Sequence, residues 1–275
     1  MKLDTSSYYP KSPLDGEEYA SYADSRNQKA EEPMPETALE STRGPVPEPV
    51  PQSKPDPDPE PKLEPAPTAA SHAMDRFSTL MSWIMVPLLM PVYGMLLAFG
   101  LSILNYVPTG TKFGFILVVA GLNILVPALL ILLLKKMGVV RDIGLNDRDE
   151  RLWPYLISIL CLGATAMFVA VKGAPMWLTM FFTGGAVAGL VELVVNHWWK
   201  ISVHAAGVAG IVALLVRIMR DGYPAPSIFV WLCVSIIVAG TVGMCRVWLG
   251  RHTVWQVLAG YAVGFCGVFF MTLIH

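Results

Sequence analysis

The chain has 275 residues, of which 54% are hydrophobic and 15% charged, with a formal net charge of -1. Four cysteines (Cys161, Cys233, Cys245, Cys266), none in a CxxC pair, argue against a disulfide framework or a zinc cluster, and read as small buried apolar side chains. No nucleic-acid partner is expected from this balance of charge.

The averages hide two unlike parts. Residues 1–70 carry 7 Lys/Arg against 14 Asp/Glu and hold 14 of the 22 prolines, many alternating with Glu, Asp or Val from Pro45 to Pro61. Such a segment buries too little apolar surface to offset its ordering entropy. It reads as a disordered acidic tail over residues 1–76, partly polyproline II. A solvated linker is the plain interpretation, and a docking segment for an unidentified proline-binding partner is the other. With no apolar run, it is not a secretory signal peptide.

From Trp83 onward the chain reads as membrane protein, and residues 77–275 form the expected domain. A helix needs roughly 20 apolar residues to cross a bilayer core. Seven segments qualify, at about 83–105, 114–134, 154–172, 176–196, 203–219, 228–245 and 254–274. The fold class is therefore an all-α, multi-pass bundle of six or seven spans. All eight tryptophans lie near segment ends, as interfacial anchors do. Pro87 and Pro91 predict a kinked or broken first segment. Gly184, Gly185, Ala186 and Gly189, and then Ala205, Ala206, Gly207 and Gly210, predict close helix packing.

With seven spans, the linkers at 135–153, 197–202 and 246–253 share one face with the tail. They hold Lys135, Lys136, Arg141, Arg148, Arg151, Lys200, Arg246 and Arg251, together with His197, His204 and His252 at their edges. Positive-inside counting places this face in the cytoplasm. Cations and imidazoles together at one face suggest an anionic substrate. Glu192 is the one carboxylate inside an expected span, one turn before Asn196, and an ionisable group there is costly and functional by default. The plainer reading is a Glu near the interface that reaches solvent or pairs with Lys200.

Arg246 is followed after five residues by His252 and after three more by Gln256, with Cys245 in front. Upstream stands Ile201-Ser202-Val203-His204, and further upstream Arg151 with Pro154. In this order and at these helix boundaries, residues 77–275 resemble the type 2 phosphatidic acid phosphatase superfamily of integral-membrane lipid phosphatases, and a bacterial branch of it. Its motifs are Lys-x6-Arg-Pro, Pro-Ser-Gly-His and Ser-Arg-x5-His-x3-Asp. Here Cys245 replaces the Ser and Gln256 the Asp of the third motif. The second keeps Ser202 and His204, and in the first the Lys position falls on Gly144.

The resemblance implies hydrolysis of a lipid phosphate or polyprenyl diphosphate through a phosphohistidine, without a metal or other cofactor. It assigns His252 as nucleophile, His204 as general acid and Gln256 as the residue that orients His252. Arg151 and Arg246 clamp the phosphate, Ser202 adds a hydrogen bond, and Lys200 stands in for the missing Lys. Arg148, Arg251 and Glu192 are auxiliary, Glu192 as a compensating carboxylate. The substrate is a lipid in the bilayer, and the resemblance implies a bacterial inner membrane with the site on its outer face. Gln256 can accept from a ring N–H but supplies no charge. The competing reading is thus an impaired relative that binds a headgroup or acts as a scaffold. A metal site of His197, His204, His252 and Glu192 is a third reading, and a transporter, for which no inverted repeat is evident, a fourth.

Overall fold

In hydrocarbon, a chain must satisfy its own backbone hydrogen bonds, so apolar runs of this length become helices. The computed structural model of the protein describes residues 69–139, 152–221 and 225–274, and every regular element in them is helical. In chain order these are α1 (Ala69–Ile84), α2 (Met90–Leu101), α3 (Thr109–Ala120), α4 (Val126–Lys136), α5 (Leu152–Val171), α6 (Met176–Trp198), α7 (Val203–Met219), α8 (Ile228–Trp248) and α9 (Val254–Thr272). Six stretches are long and apolar enough to cross a bilayer: Ala69–Leu101, Thr109–Lys136, and helices α5, α6, α8 and α9. The protein is a multi-pass, all-helical membrane protein. Helix α7 is shorter, 17 residues or about 25 Å.

The first span starts earlier than composition suggested. Ala69–Arg76, counted with the tail, is helical, because no proline lies between Pro67 and Pro87 to block the helix. Residues 1–68 lie outside the described residues. The span breaks where the prolines predict. Helix α1 stops at Ile84, a 3-10 turn covers Pro87–Leu89, and α2 begins at Met90. The break strands carbonyls at the end of α1. The Tyr93 hydroxyl donates to the Ile84 carbonyl at 3.0 Å.

A different device joins α3 to α4. Pro127 has no N–H to give Asn123, and its ring would crowd that carbonyl in an α-helix. The chain widens into a π-helical turn over Gly121–Leu125, with the Val126 N–H bonded to the Gly121 carbonyl. Asn123, buried there, donates to the Val119 carbonyl at 3.0 Å and to Thr165 Oγ1 at 2.7 Å on α5. Neither residue was singled out from the sequence.

Helix α7 is buried on almost every side, with Ala205, Ala206, Val208, Ala209, Ile211, Ala213, Leu214, Leu215 and Ile218 all in the interior. Its neighbours are α2, α6, α8 and α9. A helix apolar all round belongs at the centre. The tightest contact is with α9. A Cβ on Gly264 would collide with the Ala206 backbone, and one on Gly260 with the Ser202 carbonyl. On the far side of α9, a Cβ on Gly184 of α6 would lie 2.7 Å from the Gly267 carbonyl. Small residues at these crossings let backbones touch.

Two side-chain types stand elsewhere than expected. Trp177 is only 6% exposed and belongs to the core, because it lies on the face of α6 that carries Leu178 and Phe181 inward; the other seven tryptophans are exposed, as anchors would be. Cys161 and Cys245 are buried, but Cys233 and Cys266 lie on the outer surface, where lipid rather than protein surrounds an apolar side chain; all four are free thiols. Arg217, near the end of α7, is buried. Its Nε donates to the Thr272 carbonyl at 3.0 Å, and its guanidinium pairs with Asp221.

The packing predicts a contrast between glycines. Gly264→Ala should destabilise the protein by about 1–3 kcal/mol through overpacking. Gly100→Ala, in open space on α2, should be neutral or stabilise by up to about 1 kcal/mol through helix propensity. Thermal unfolding in detergent checks both.

Candidate functional site

The site is assembled at the end of the bundle where α8 stops and α7 and α9 start. Helix α8 ends in a Schellman turn. The Gly250 N–H bonds the Val247 carbonyl at 2.9 Å and the Arg251 N–H bonds the Arg246 carbonyl at 3.1 Å. Gly250 takes a φ of 63°, which a glycine adopts without strain. The turn delivers His252 to a buried position, and Thr253 then caps α9.

The cap decides the chemistry of His252. Thr253 and Gln256 form a capping box: Thr253 Oγ1 accepts from the Gln256 N–H at 3.4 Å, and Gln256 Oε1 accepts from the Thr253 N–H at 3.2 Å. A backbone N–H only donates, so the Gln256 atom facing it is the amide oxygen. The same oxygen lies 3.2 Å from His252 Nδ1, so that nitrogen carries the ring proton. The lone pair of neutral His252 is therefore on Nε2. Gln256 fixes the tautomer that a nitrogen nucleophile needs while doing a second job as helix cap.

His204 arrives from the neighbouring helix. Ser202 is the N-cap of α7, its hydroxyl accepting from the Ala205 N–H at 3.4 Å. Its own N–H donates to the Gln256 carbonyl at 3.3 Å. One backbone bond thus joins the start of α7 to the start of α9, and both motif histidines are placed from it. The two helices run parallel, with Arg217 and Thr272 paired at their far ends. Their N-termini accordingly share this face, and each carries partial positive charge.

Arg246 and His204 converge on one residue, Ser82 of α1. His204 Nε2 lies 3.2 Å from the Ser82 carbonyl, which only accepts, so Nε2 is protonated. Arg246 Nη1 donates to Ser82 Oγ at 3.4 Å. Ser82 precedes every motif and was not foreseen. A helix made polar on one side by Ser71, Asp75, Ser78 and Ser82 was the available signal.

The other expected residues are placed as follows. Lys200 is half-buried in the link between α6 and α7, at the same end. Arg251 is exposed beside the Schellman turn. Arg148 and Arg151 lie outside the described residues, as does Gly144. Glu192 is 2% exposed on α6, which removes the reading of a solvated interfacial Glu. Its Oε1 has no hydrogen-bond partner among the described residues, and no hydrogen bond joins it to His252. Among the described residues, no three His, Cys, Asp or Glu side chains gather as metal ligands, which ends the reading of a site built from His197, His204, His252 and Glu192. His197 is exposed and packs edge-on to Trp198.

Comparisons with protein-family models, curated proteins and solved structures find no match to this chain. The site brings together a buried imidazole with a fixed tautomer, a second imidazole with its proton on Nε2, and a guanidinium, where two helix N-termini meet.

Gln256 carries two bonds through one oxygen, so its removal should be felt twice. Gln256→Ala should cost about 1–2 kcal/mol in unfolding free energy and abolish the preference of His252 for the Nδ1-protonated tautomer, read by nitrogen-15 NMR. Gln256→Glu keeps an oxygen in place and should preserve both.

Proposed function

We propose that the protein is a membrane lipid phosphatase of the kind its motifs resemble, working through a phosphohistidine in the inner membrane of a bacterium. The observation that carries this reading is the arrangement of His252. Its Nδ1–H is held by Gln256 Oε1 at 3.2 Å, which leaves the Nε2 electron pair for attack on phosphorus. In that step the Nε2–P bond forms and the bond from phosphorus to the lipid oxygen breaks. The departing alkoxide takes the Nε2 proton of His204, which enters this step as imidazolium and is left as neutral imidazole. A water then attacks the phosphohistidine, releasing phosphate and restoring neutral His252, while its proton returns to His204.

Charge placement supports the same reading. Arg246 offers paired donors to phosphate oxygens, and the N-termini of α7 and α9 favour an anion between them. Preorganised positive charge is the main lever on a phosphoryl transition state. Arg151 and Lys200 are the further clamps that the motif order suggests. A lipid headgroup reaches this level from the bilayer, since the site lies at the ends of membrane-length helices. No metal is invoked for the chemistry.

One observation favours a second reading. The residue facing His252 is a neutral amide, and its oxygen is already shared with the Thr253 N–H. A carboxylate there would stabilise the imidazolium that forms on attack. In a serine-protease triad, loss of the corresponding charge costs roughly 10⁴-fold in rate. A slow or silent relative that binds a phosphate headgroup keeps all the remaining geometry.

Release of inorganic phosphate from purified protein in detergent separates the two. The substrates are phosphatidate, phosphatidylglycerol phosphate and a polyprenyl diphosphate. Release that disappears in His252→Ala and rises at least about tenfold in Gln256→Asp is the expected result, given the size of that triad effect. No release from the wild type or from Gln256→Asp would leave headgroup binding as the function.

A further inference from the structure

Helix α1 carries one polar stripe. Ser71, Asp75, Ser78 and Ser82 follow at spacings of four, three and four, which form one stripe. Phe77, Leu80, Trp83 and Ile84 are exposed on the remainder of its surface. The polar stripe lies against α8 at the site end. Trp248 Nε1 donates to Asp75 Oδ1 at 2.9 Å, and Arg246 reaches Ser82 Oγ at 3.4 Å.

The proline break explains why Ser82 meets His204. In a continuous helix, the Ser82 carbonyl would be spent on the N–H of Val86. Helix α1 stops at Ile84, so that carbonyl is a terminal one and takes the His204 Nε2–H instead, at 3.2 Å. Ser82 thus occupies one donor of the general acid and one of the clamp. Ser78, a turn earlier, is fully buried, and its hydroxyl has no hydrogen-bond partner among the described residues. A buried hydroxyl left unsatisfied costs free energy in the closed arrangement and loses nothing when the helix moves.

We propose that α1 is a strap closed over the site, and that Ser82 and a phosphate anion compete for the N–H groups of His204 and Arg246. This rests on the reading of the site as a phosphate site. Binding an anion swings α1 about the break at Met85–Val86, releases the bond between Trp248 and Asp75, and exposes the Ser78 hydroxyl beside the incoming group. The strap makes the free protein self-limiting, because the donors stay capped until an anion displaces Ser82.

The test uses the full chain in lipid nanodiscs with orthovanadate, a phosphate analogue. Vanadate affinity and hydrogen exchange across Ala69–Ile84 are measured in the wild type, in Trp248→Phe and in Asp75→Ala. Both substitutions cut the latch without touching His204, Arg246 or His252. Vanadate is expected to speed exchange of α1 in the wild type. Each variant should exchange fast without vanadate and bind it about fivefold more tightly, the effect of one hydrogen bond. Equal affinity in all three proteins, with exchange of α1 unchanged by vanadate, would overturn the strap and leave the phosphate reading standing. No vanadate binding by any of them would overturn both.

Discussion

The contact between α7 and α9 sets everything else. Two helices can be brought this close only if one offers bare backbone, and α9 does so at Gly260 and Gly264, against Ser202 and Ala206. That approach puts the Ser202 N–H on the Gln256 carbonyl. Two chain segments far apart in sequence are then locked in register at their first turns. Helix α8 crosses back between them in sequence, and its Schellman turn places Arg246 and His252 next to the same junction. The glycines contain no chemistry, yet the site exists because of their missing side chains.

The junction also shows how one residue serves fold and site together. Gln256 is an ordinary third residue of a capping box, and a helix start needs nothing more from it. The position of its oxygen also fixes the His252 proton on Nδ1. Ser202 is similar: its hydroxyl caps α7, and its N–H ties α7 to α9. Because these atoms are committed to the backbone, the imidazoles are held without dedicated positioning residues.

Much of the architecture was legible in the sequence, because membrane-length apolar runs have one good solution and because Pro87 and Pro91 cannot continue a helix. The order of Ser202, His204, Arg246, His252 and Gln256 at helix boundaries was legible for the same reason: caps and turns sit where apolar periodicity stops. Tertiary partners were not legible. Ser82 belongs to a helix that composition cut at residue 76, and its role depends on a carbonyl freed by the break after it. Trp177 looked like an anchor because sequence gives its position along the membrane normal and says nothing of which face of α6 it occupies. The burial of Arg217 was not legible because one of its acceptors, the Thr272 carbonyl, lies 55 residues away. The pair of Asn123 and Thr165 was missed because each is a common polar residue, and only a proline-driven π turn aims one at the other.

Helix α7 also constrains how the chain enters a bilayer during synthesis. It is short, it has almost no surface suited to lipid, and it carries Arg217 near its end. An arginine in a lone apolar helix opposes partitioning into the membrane by roughly 2.5–3.5 kcal/mol at mid-depth on translocon scales, less near an end. Asp221, one turn on, pairs with the guanidinium early, but the carbonyl that takes the Arg217 Nε–H emerges from the ribosome only with the last turn of α9. Helix α7 should therefore linger at the insertion machinery, or against earlier helices, until α8 and α9 follow. Helices α7, α8 and α9 would then enter as a single package, and the junction that holds His204 and His252 forms only once α9 has joined α7.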